Sequence, residues 1–306
     1  MYQKTIARQI SFTGIGLHLG KKVNVTIRPA NVDHGIIFLR TDTPEPVEIK
    51  ANAASVVDTK FATTLGYNGV KISTVEHLLA AFMGLGIDNV LVEIDSSEVP
   101  IMDGSASPFV YLLKTAGIRA QKKPKKFLVI KRVIKVSDGD KRVILAPFKG
   151  LKITYTVDFD HPLIANQSYS AKFCNGTFER EISRARTFGF LKDVEVLKAN
   201  GLAKGGSLDN AIVVGDFRII NEDGLRFHDE FVRHKILDSI GDLSLLGVPV
   251  IGHLIAYKSG HSLNYRLMKK VISNKKNWKL IEVYNEEFDR YNVPSFELLK
   301  QVPASA

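Results

Sequence analysis

The alternation of apolar and polar residues predicts strands in both halves of the chain. Between positions 22 and 28, Val23, Val25 and Ile27 fall on one face of an extended segment, as in a half-buried strand. Further strands are predicted at 35–40, 61–67, 88–95, 127–136, 142–146, 151–159, 211–214 and 253–259. Helical spacing and end signals predict helices at 73–82, 107–117, 191–200, 229–247 and 264–274. Each half thus contains antiparallel strands, a helix, a further strand and another helix, so the predicted class is α+β.

The composition is that of a globular protein. With 306 residues, 45% of them hydrophobic and 24% charged, the chain allows one large domain or two medium ones. No run approaches the roughly 18 apolar residues of a membrane span, and the N-terminal segment lacks the apolar region of a signal peptide. Cys174 is the only cysteine, which excludes an internal disulfide and a cysteine-based zinc site and indicates a cytoplasmic protein.

The formal net charge of +10 favours anionic partners such as nucleic acid, a phosphorylated substrate or an acidic membrane surface. Lysines cluster between positions 122 and 135, but no aromatic pattern of a nucleic-acid reader is interleaved with them. We interpret the cluster as a solvated linker and strand face. The KKPKK run at 122–126 gives the predicted division into domains 1–123 and 124–276, followed by a tail, 277–306.

The predicted helix 229–247 carries His234, Asp238 and Asp242 at positions i, i+4 and i+8. This spacing places the three side chains on one stripe, while the rest of the helix is strongly apolar and should be buried. Buried charged groups must be paired or bind something. A histidine–aspartate hydrogen bond is the simpler interpretation, and two ligands of a catalytic metal is the alternative.

Glu76 and His77 are adjacent at the start of another predicted helix. Ser73 and Glu76 have the spacing of a capping box, which would give Glu76 a structural role. Position 81 is alanine, so the HExxH pattern is absent and further ligands for His77 would have to come from a distant helix. Two imidazoles and one carboxylate with an open position form a catalytic zinc arrangement, beside which Glu76 could act as a base.

His261 lies on a glycine-containing turn after a predicted strand. It could protonate a leaving amine or stabilise an oxyanion, although a loop histidine is more often a bystander. Asp242 could hydrogen-bond His261 and raise its pKa.

Six motifs occur in order between about Ile6 and Leu267, and together they are highly specific. They are TVEHL (74–78), PIMDGS (100–105), RARTF (184–188), EDGLR (222–226), VRHK with two following aspartates (232–242) and YKSGHSLN (257–264). With these motifs the chain resembles the UDP-3-O-acyl-N-acetylglucosamine deacetylases, zinc amidases that commit Gram-negative bacteria to lipid A synthesis.

The resemblance implies two α+β domains of similar topology, with helices sandwiched between two mainly antiparallel sheets and one insert in each domain. It implies one Zn²⁺ per chain bound by His77, His234 and Asp238. The same ligands suit Fe²⁺, so iron in the cell is left open.

The resemblance also assigns catalytic roles. Glu76 matches the general base, His261 the general acid and Asp242 its orienting partner. Thr187 would help to stabilise the oxyanion, and Lys235 would contact the substrate.

Substrate contacts follow from the same resemblance. Lys141, Phe159 and Lys258 match positions that contact the UDP portion. The second insert, at about 186–210, would wall an apolar passage for the acyl chain, with Phe188, Phe190, Leu191, Val194, Val196, Leu197 and Leu202 as candidate lining residues.

The predicted reaction is therefore hydrolysis of the N-acetyl group of a UDP-linked, 3-O-acylated N-acetylglucosamine, releasing acetate. We expect a cytoplasmic monomer with no nucleic-acid partner and no membrane span, and leave peripheral membrane contact open. One alternative is a bifunctional chain that also dehydrates an acyl thioester, for which 306 residues leave no room. The others are a basic nucleic-acid-binding protein with structural histidines and a hydrolase of another N-acyl sugar nucleotide.

Overall fold

The computed structural model describes residues 1–282. The predicted tail is therefore described only in its first residues, where Trp278–Glu282 forms a strand, and residues 283–306 lie outside the described part. Within residues 1–282, no helix is long and apolar enough to cross a membrane.

The first half builds a five-stranded sheet, a three-stranded sheet and a two-stranded ribbon. The strands are β1 (Tyr2–Ile6), β2 (Ile10–Ile15), β3 (Lys22–Pro29), β4 (Ile36–Arg40), β5 (Val47–Lys50), β6 (Val56–Asp58), β7 (Thr64–Tyr67), β8 (Val70–Ile72), β9 (Val90–Ile94) and β10 (Ile118–Pro124), and the helices are α1 (Glu76–Leu85) and α2 (Ser107–Ala116). The large sheet has the order β2-β3-β9-β4-β5, the smaller one β6-β7-β8, and β1 pairs with β10. All pairs are antiparallel except β4 with β9.

The second half builds a seven-stranded sheet and a short parallel pair. Its strands are β11 (Lys126–Ile130), β12 (Ile134–Asp138), β13 (Lys141–Ala146), β14 (Leu151–Asp158), β15 (Asn166–Phe173), β16 (Phe188–Phe190), β17 (Ile212–Val214), β18 (Val250–Tyr257) and β19 (Trp278–Glu282), and its helices are α3 (Leu191–Ala199), α4 (Glu230–Ser244) and α5 (His261–Ser273). The sheet runs β12-β13-β18-β11-β19, and β14 joins it beside β18 and carries β15. A π-helical turn, Phe178–Ile182, precedes the short strands β16 and β17.

Helices α1 and α4 lie between the two large sheets and pack against each other. At their closest crossing, a Cβ added to Gly241 would lie 2.1 Å from the backbone oxygen of Glu76, so only glycine allows this approach. Buried side chains from both halves merge into one hydrophobic core. The predicted α+β class, with helices sandwiched between mainly antiparallel sheets, is confirmed.

The interpretation of the lysine run at 122–126 as a solvated linker is wrong for Lys125. The run continues β10 and enters β11, and Lys125 is buried, with its ammonium 2.8 Å from the Gly86 carbonyl and 3.0 Å from Asp88. Strand β10 pairs with β1 of the first half, and β11 belongs to the seven-stranded sheet of the second half. The domain division at 123/124 stays a prediction.

Several predicted element ends are also wrong. Helix α1 begins at Glu76 without a capping box, because Ser73 forms a β-bridge with Glu98 and donates its hydroxyl to the carbonyl of Ser97. Helix α5 begins at His261, three residues earlier than predicted. The predicted strand 127–136 is two strands, β11 and β12.

Two further helices begin without a side-chain capping bond. The N-cap of α2 is Ala106. Asp229 is the N-cap of α4 but makes no capping bond, since its carboxylate accepts a hydrogen bond from Arg233 at 2.5 Å.

Candidate metal centre

A cleft of about 610 Å³ opens between the two halves, at the first turn of α1 and the middle of α4. The first half contributes Glu76 and His77 to its floor, and α4 contributes His234 and Asp238. These four side chains are buried, with at most 4% of each residue exposed. Residues distant in the sequence therefore meet in one enclosed, polar site.

His77, His234 and Asp238 have ligand atoms that all lie within 4.8 Å of one another. Nε2 of His77 is 3.5 Å from Oδ1 of Asp238, and Nε2 of His234 is 3.3 Å from the same oxygen. The two imidazole rings are nearly perpendicular, at 85°, with centroids 4.9 Å apart. Three donor atoms thus face one point from different directions.

His234 is prepared to present an unprotonated Nε2. Its Nδ1 donates a hydrogen bond to the backbone oxygen of Ala185 at 3.0 Å, which leaves the lone pair on the nitrogen that faces Asp238. Burial lowers the pKa of His234 to about 4, so the ring is neutral at physiological pH.

Asp238 is ionised despite its burial. Burial alone would raise its pKa, but the neighbouring Lys235 and His234 hold that pKa well below its usual range. Nζ of Lys235 donates to Oδ2 of Asp238 at 2.6 Å, which leaves Oδ1 to face the histidines. Burial would lower the pKa of Lys235, and Asp238 and Tyr155 nevertheless raise it.

The donor set fits a divalent metal ion. Oδ1 of Asp238 is a buried charged acceptor with no hydrogen-bond partner among residues 1–282, and the nitrogens nearest to it belong to two histidines. A buried unpaired carboxylate oxygen is costly unless a cation compensates it. Two imidazole nitrogens and one carboxylate oxygen are the ligands of many catalytic zinc sites.

Glu76 lies beside these ligands rather than among the helix caps. Its Oε2 accepts the backbone N–H of Thr63 at 3.1 Å, and its Oε1 is 3.8 Å from Nε2 of His261. Burial raises the pKa of Glu76, against the opposing effect of His261 and His77. A carboxylate with raised proton affinity at this position can accept a proton.

His261 faces the cleft from the first residue of α5 and is held from behind by Asp242. Its Nδ1 is 3.0 Å from Oδ2 of Asp242, and Asn264 donates to the same oxygen at 2.8 Å. Burial would lower the pKa of His261, but Asp242 raises it to about 9, so the ring is an imidazolium at neutral pH. Nε2, the nitrogen opposite Asp242, is 3.9 Å from Asp238 and can deliver a proton into the cleft.

Thr63 is a site residue that the sequence analysis missed. Its hydroxyl donates to Oδ1 of Asp242 at 2.7 Å and lies 3.2 Å from Nδ1 of His261, while its backbone N–H binds Glu76. It thus links the Glu76 carboxylate to the neighbouring pair of Asp242 and His261. No pattern in the sequence signals this, because its partners are remote.

His18 also lines the cleft, in the glycine-rich segment 14–20 that joins β2 to β3. Nδ1 of His18 is buried and has no hydrogen-bond partner among residues 1–282. Its presence among three glycines was the available signal.

The predicted substrate residues fall into three groups. Thr187, Lys235, Lys141, Phe159, Lys258 and Phe188 line the cleft. Phe190 lies one layer further out, with its ring 5.5 Å from that of Phe159. Leu197 and Leu202, on and after α3, are half-buried and are not among the residues lining the cleft, so their role stays a prediction.

The fold and the site together define a class of protein. It is an α+β protein in which both halves bring two histidines and one aspartate together as a candidate metal site, with Glu76 and His261 beside them. The chain belongs to the UDP-3-O-acyl N-acetylglycosamine deacetylase family, whose model matches residues 3–273. The resemblance inferred from the motifs is therefore confirmed.

Relatives from several bacteria are similar over nearly their whole length. The chain is 55% identical to a protein of Myxococcus xanthus over 94% of this chain and 91% of the relative. It is 50% identical to one of Syntrophus aciditrophicus over 99% of each chain, and 54% identical to one of Pasteurella multocida over 91% of this chain and 92% of the relative. Each of these relatives is named UDP-3-O-acyl-N-acetylglucosamine deacetylase.

Proposed function

We propose that this protein hydrolyses the N-acetyl group of UDP-3-O-acyl-N-acetylglucosamine to give UDP-3-O-acyl-glucosamine and acetate, the committed step of lipid A biosynthesis. The convergence of His77, His234 and Asp238 to within 4.8 Å is the observation that carries the proposal. Family membership and the names of relatives that are 50–55% identical support the choice of substrate.

In this proposal His77, His234 and Asp238 would hold one Zn²⁺, the histidines by Nε2 and the aspartate by Oδ1. When bound, the ion supplies Lewis acidity toward the amide carbonyl and lowers the pKa of a nearby water. Nitrogen and carboxylate ligands also suit Fe²⁺, so the metal in the cell is a separate question.

Glu76 acts as the general base. Its carboxylate is fixed by the Thr63 N–H and has the raised proton affinity that follows from burial. It takes the proton of the water that attacks the acetyl carbon, so the new C–O bond forms without release of a proton into solvent.

His261 acts as the general acid. Asp242 and Thr63 lie at Nδ1 on the side opposite the cleft, and Asn264 donates to the Asp242 carboxylate. Asp242 is the main group that keeps the ring protonated. The imidazolium gives its Nε2 proton to the amide nitrogen as the C–N bond breaks, so that the glucosamine leaves as a neutral amine and acetic acid remains. The acetic acid ionises to acetate and returns a proton to His261, and Glu76 gives up the proton it took from water to the released amine.

Thr187 and Lys235 act on the carbonyl side of the reaction. The backbone of Thr187 is fixed by hydrogen bonds at 2.8 Å to Gly104 and from Ile212, so its hydroxyl can be aimed at the carbonyl oxygen as charge develops there. Lys235 supplies a fixed positive charge beside Asp238.

The outer cleft recognises the rest of the substrate. Lys141 and Lys258 offer cationic groups to the diphosphate, and Phe159 and Phe188 form an edge-to-face pair with centroids 5.8 Å apart for the apolar parts. The insert that includes Phe190, Leu197 and Leu202 forms the apolar passage that holds the acyl chain. We further propose that the protein works as a cytoplasmic monomer.

The test is deacetylation of the UDP substrate with and without a chelator. Activity should disappear when the metal is removed and return when one equivalent of Zn²⁺ is added back. A panel of other N-acyl sugar nucleotides serves as the control for substrate identity. Undiminished turnover by metal-free protein would refute the metal mechanism.

A further inference from the structure

We propose that the buried ion pair between Arg186 and Glu230 positions the metal ligand His234 and the neighbouring Thr187. The inference rests on the proposed metal centre, and neither member of the pair touches the ligand atoms. Arg186 belongs to the RARTF motif and Glu230 to the first turn of α4, but neither has received a role.

The pair is fully enclosed and its geometry is fixed by several bonds. The Glu230 residue is 0% exposed and Arg186 is 2% exposed. Oε1 of Glu230 accepts both the backbone N–H of Arg186, at 2.9 Å, and its side-chain Nε–H, at 3.0 Å. Oε2 accepts Nη2 of Arg186 at 3.3 Å and the backbone N–H of Arg226 at 2.5 Å. One carboxylate therefore holds the backbone and the guanidinium of the same residue.

Side chains from two successive turns of α4 hydrogen-bond to segment 185–187. Glu230 binds the N–H of Arg186, and His234, four residues later on the same face, donates Nδ1 to the preceding carbonyl, that of Ala185, at 3.0 Å. The N–H and the carbonyl belong to one peptide unit, so the orientation that Glu230 imposes also aims the acceptor of His234. A fixed acceptor at Nδ1 determines the ring tautomer and directs Nε2 at the metal position.

The same segment carries Thr187 into the cleft. Thr187 is held on its far side by Gly104, which has φ of +83°, and a Cβ there would lie 2.2 Å from the backbone oxygen of Asn210. With Arg186 fixed on one side and Gly104 on the other, the Thr187 backbone cannot shift without breaking one of these contacts.

A contribution to stability alone is a weaker explanation. Desolvation offsets most of the attraction within a buried ion pair, and apolar replacements are often as stable. Asp223 provides a contrast, because it contacts Nη1 of Arg186 at 3.0 Å but its side chain is 65% exposed and makes no contact with the peptide unit that His234 uses.

The experiment measures Zn²⁺ affinity by competition with a chromophoric chelator, and kcat and KM at saturating Zn²⁺. Glu230→Gln removes the charge and one acceptor with little change in size. We expect the Kd for Zn²⁺ to rise by about 10-fold, the lower end of the usual cost of losing an outer partner of a metal-binding histidine, because the Ala185 carbonyl remains but is less well fixed. At saturating Zn²⁺, kcat should fall while KM for the UDP substrate is unchanged.

Two further variants separate positioning from folding. Asp223→Asn is the matched control and should keep its Kd within about threefold, because an exposed ion pair contributes little. Arg186→Met combined with Glu230→Gln removes the buried charges and keeps an acceptor for the backbone N–H. This double variant should melt near the wild-type temperature yet still bind Zn²⁺ more weakly, since the guanidinium no longer fixes the segment.

The outcomes distinguish this inference from the proposed function. If the wild type binds no Zn²⁺, the metal centre itself is refuted. If the wild type binds Zn²⁺ and both Glu230 variants bind it equally tightly with unchanged kcat, the positioning role is overturned while the deacetylase assignment stands.

Discussion

The two central helices supply the ligands of the proposed metal centre in different ways. Helix α4 delivers His234 and Asp238 from its interior, where each has a partner that fixes its orientation, Ala185 for the histidine and Lys235 for the aspartate. Helix α1 delivers Glu76 and His77 from its first turn, and Nδ1 of His77 has no hydrogen-bond partner among residues 1–282. Helix α4 thus presents two proposed ligands whose orientations are already fixed. His77 on α1 is placed by the packing of α1 against α4.

In a metal centre shared between two halves, the ligands of the two halves need not be oriented in the same way. A network within the second half orients two of the ligands. The third, His77, reaches the site because α1 packs on α4 at the crossing where Gly241 allows a close approach. Each of the following predictions tests one side of this difference.

The largest effect should follow loss of the α4 carboxylate. Asp238→Ala removes one ligand and leaves Lys235 without its partner, so bound metal and turnover should both fall to background. Metal content by mass spectrometry and acetate release are the measurements. Asp223→Asn, which also removes an acidic charge, should retain both, and retention of metal by the Asp238 variant would show that α4 does not anchor the ion.

Loss of the α1 carboxylate should separate metal binding from catalysis. Glu76→Gln keeps the size of the side chain but cannot accept a proton, so kcat should fall by about 10²- to 10⁴-fold, the usual contribution of a general base. One metal per chain should remain, because Glu76 is not a proposed ligand. Near-normal kcat in this variant would remove Glu76 from the base role.

The crossing of the two helices should be sensitive to a single methyl group. In Gly241→Ala the new Cβ would meet the Glu76 backbone oxygen at 2.1 Å, and backbone cannot move aside cheaply. We expect a loss of about 1–3 kcal/mol in the free energy of unfolding, as for other overpacked cores, together with weaker metal binding. Denaturant titration tests the stability, and Gly189→Ala, where a Cβ meets nothing within 4 Å, is the matched control.

The smallest change should be a shift in pH dependence. A general acid works only while protonated, so activity falls as pH rises through its pKa, and Asp242 is the group that raises the pKa of His261 to about 9. Asp242→Asn should therefore move the alkaline limb of kcat to lower pH. A full pH–rate profile tests this, and an unmoved limb would assign it to another group.

The sequence by itself determined local features. The spacing of Val23, Val25 and Ile27 predicted a strand, and His234, Asp238 and Asp242 were correctly placed on one face of a buried helix. Such patterns are readable because periodicity depends on neighbours within a few residues. The motifs identified the family, and the ligand set came from that resemblance rather than from periodicity.

Only the tertiary structure decided how these segments meet. No local pattern indicates that Thr63 bonds Asp242, 179 residues away, or that the Ala185 carbonyl orients His234. The spacing of Ser73 and Glu76 predicts a capping box and leaves a catalytic role for Glu76 as the alternative, whereas in the folded chain the Glu76 carboxylate binds the Thr63 N–H and lines the cleft. Local propensity cannot encode such contacts, because they arise when two helices and two sheets bury their apolar faces against one another.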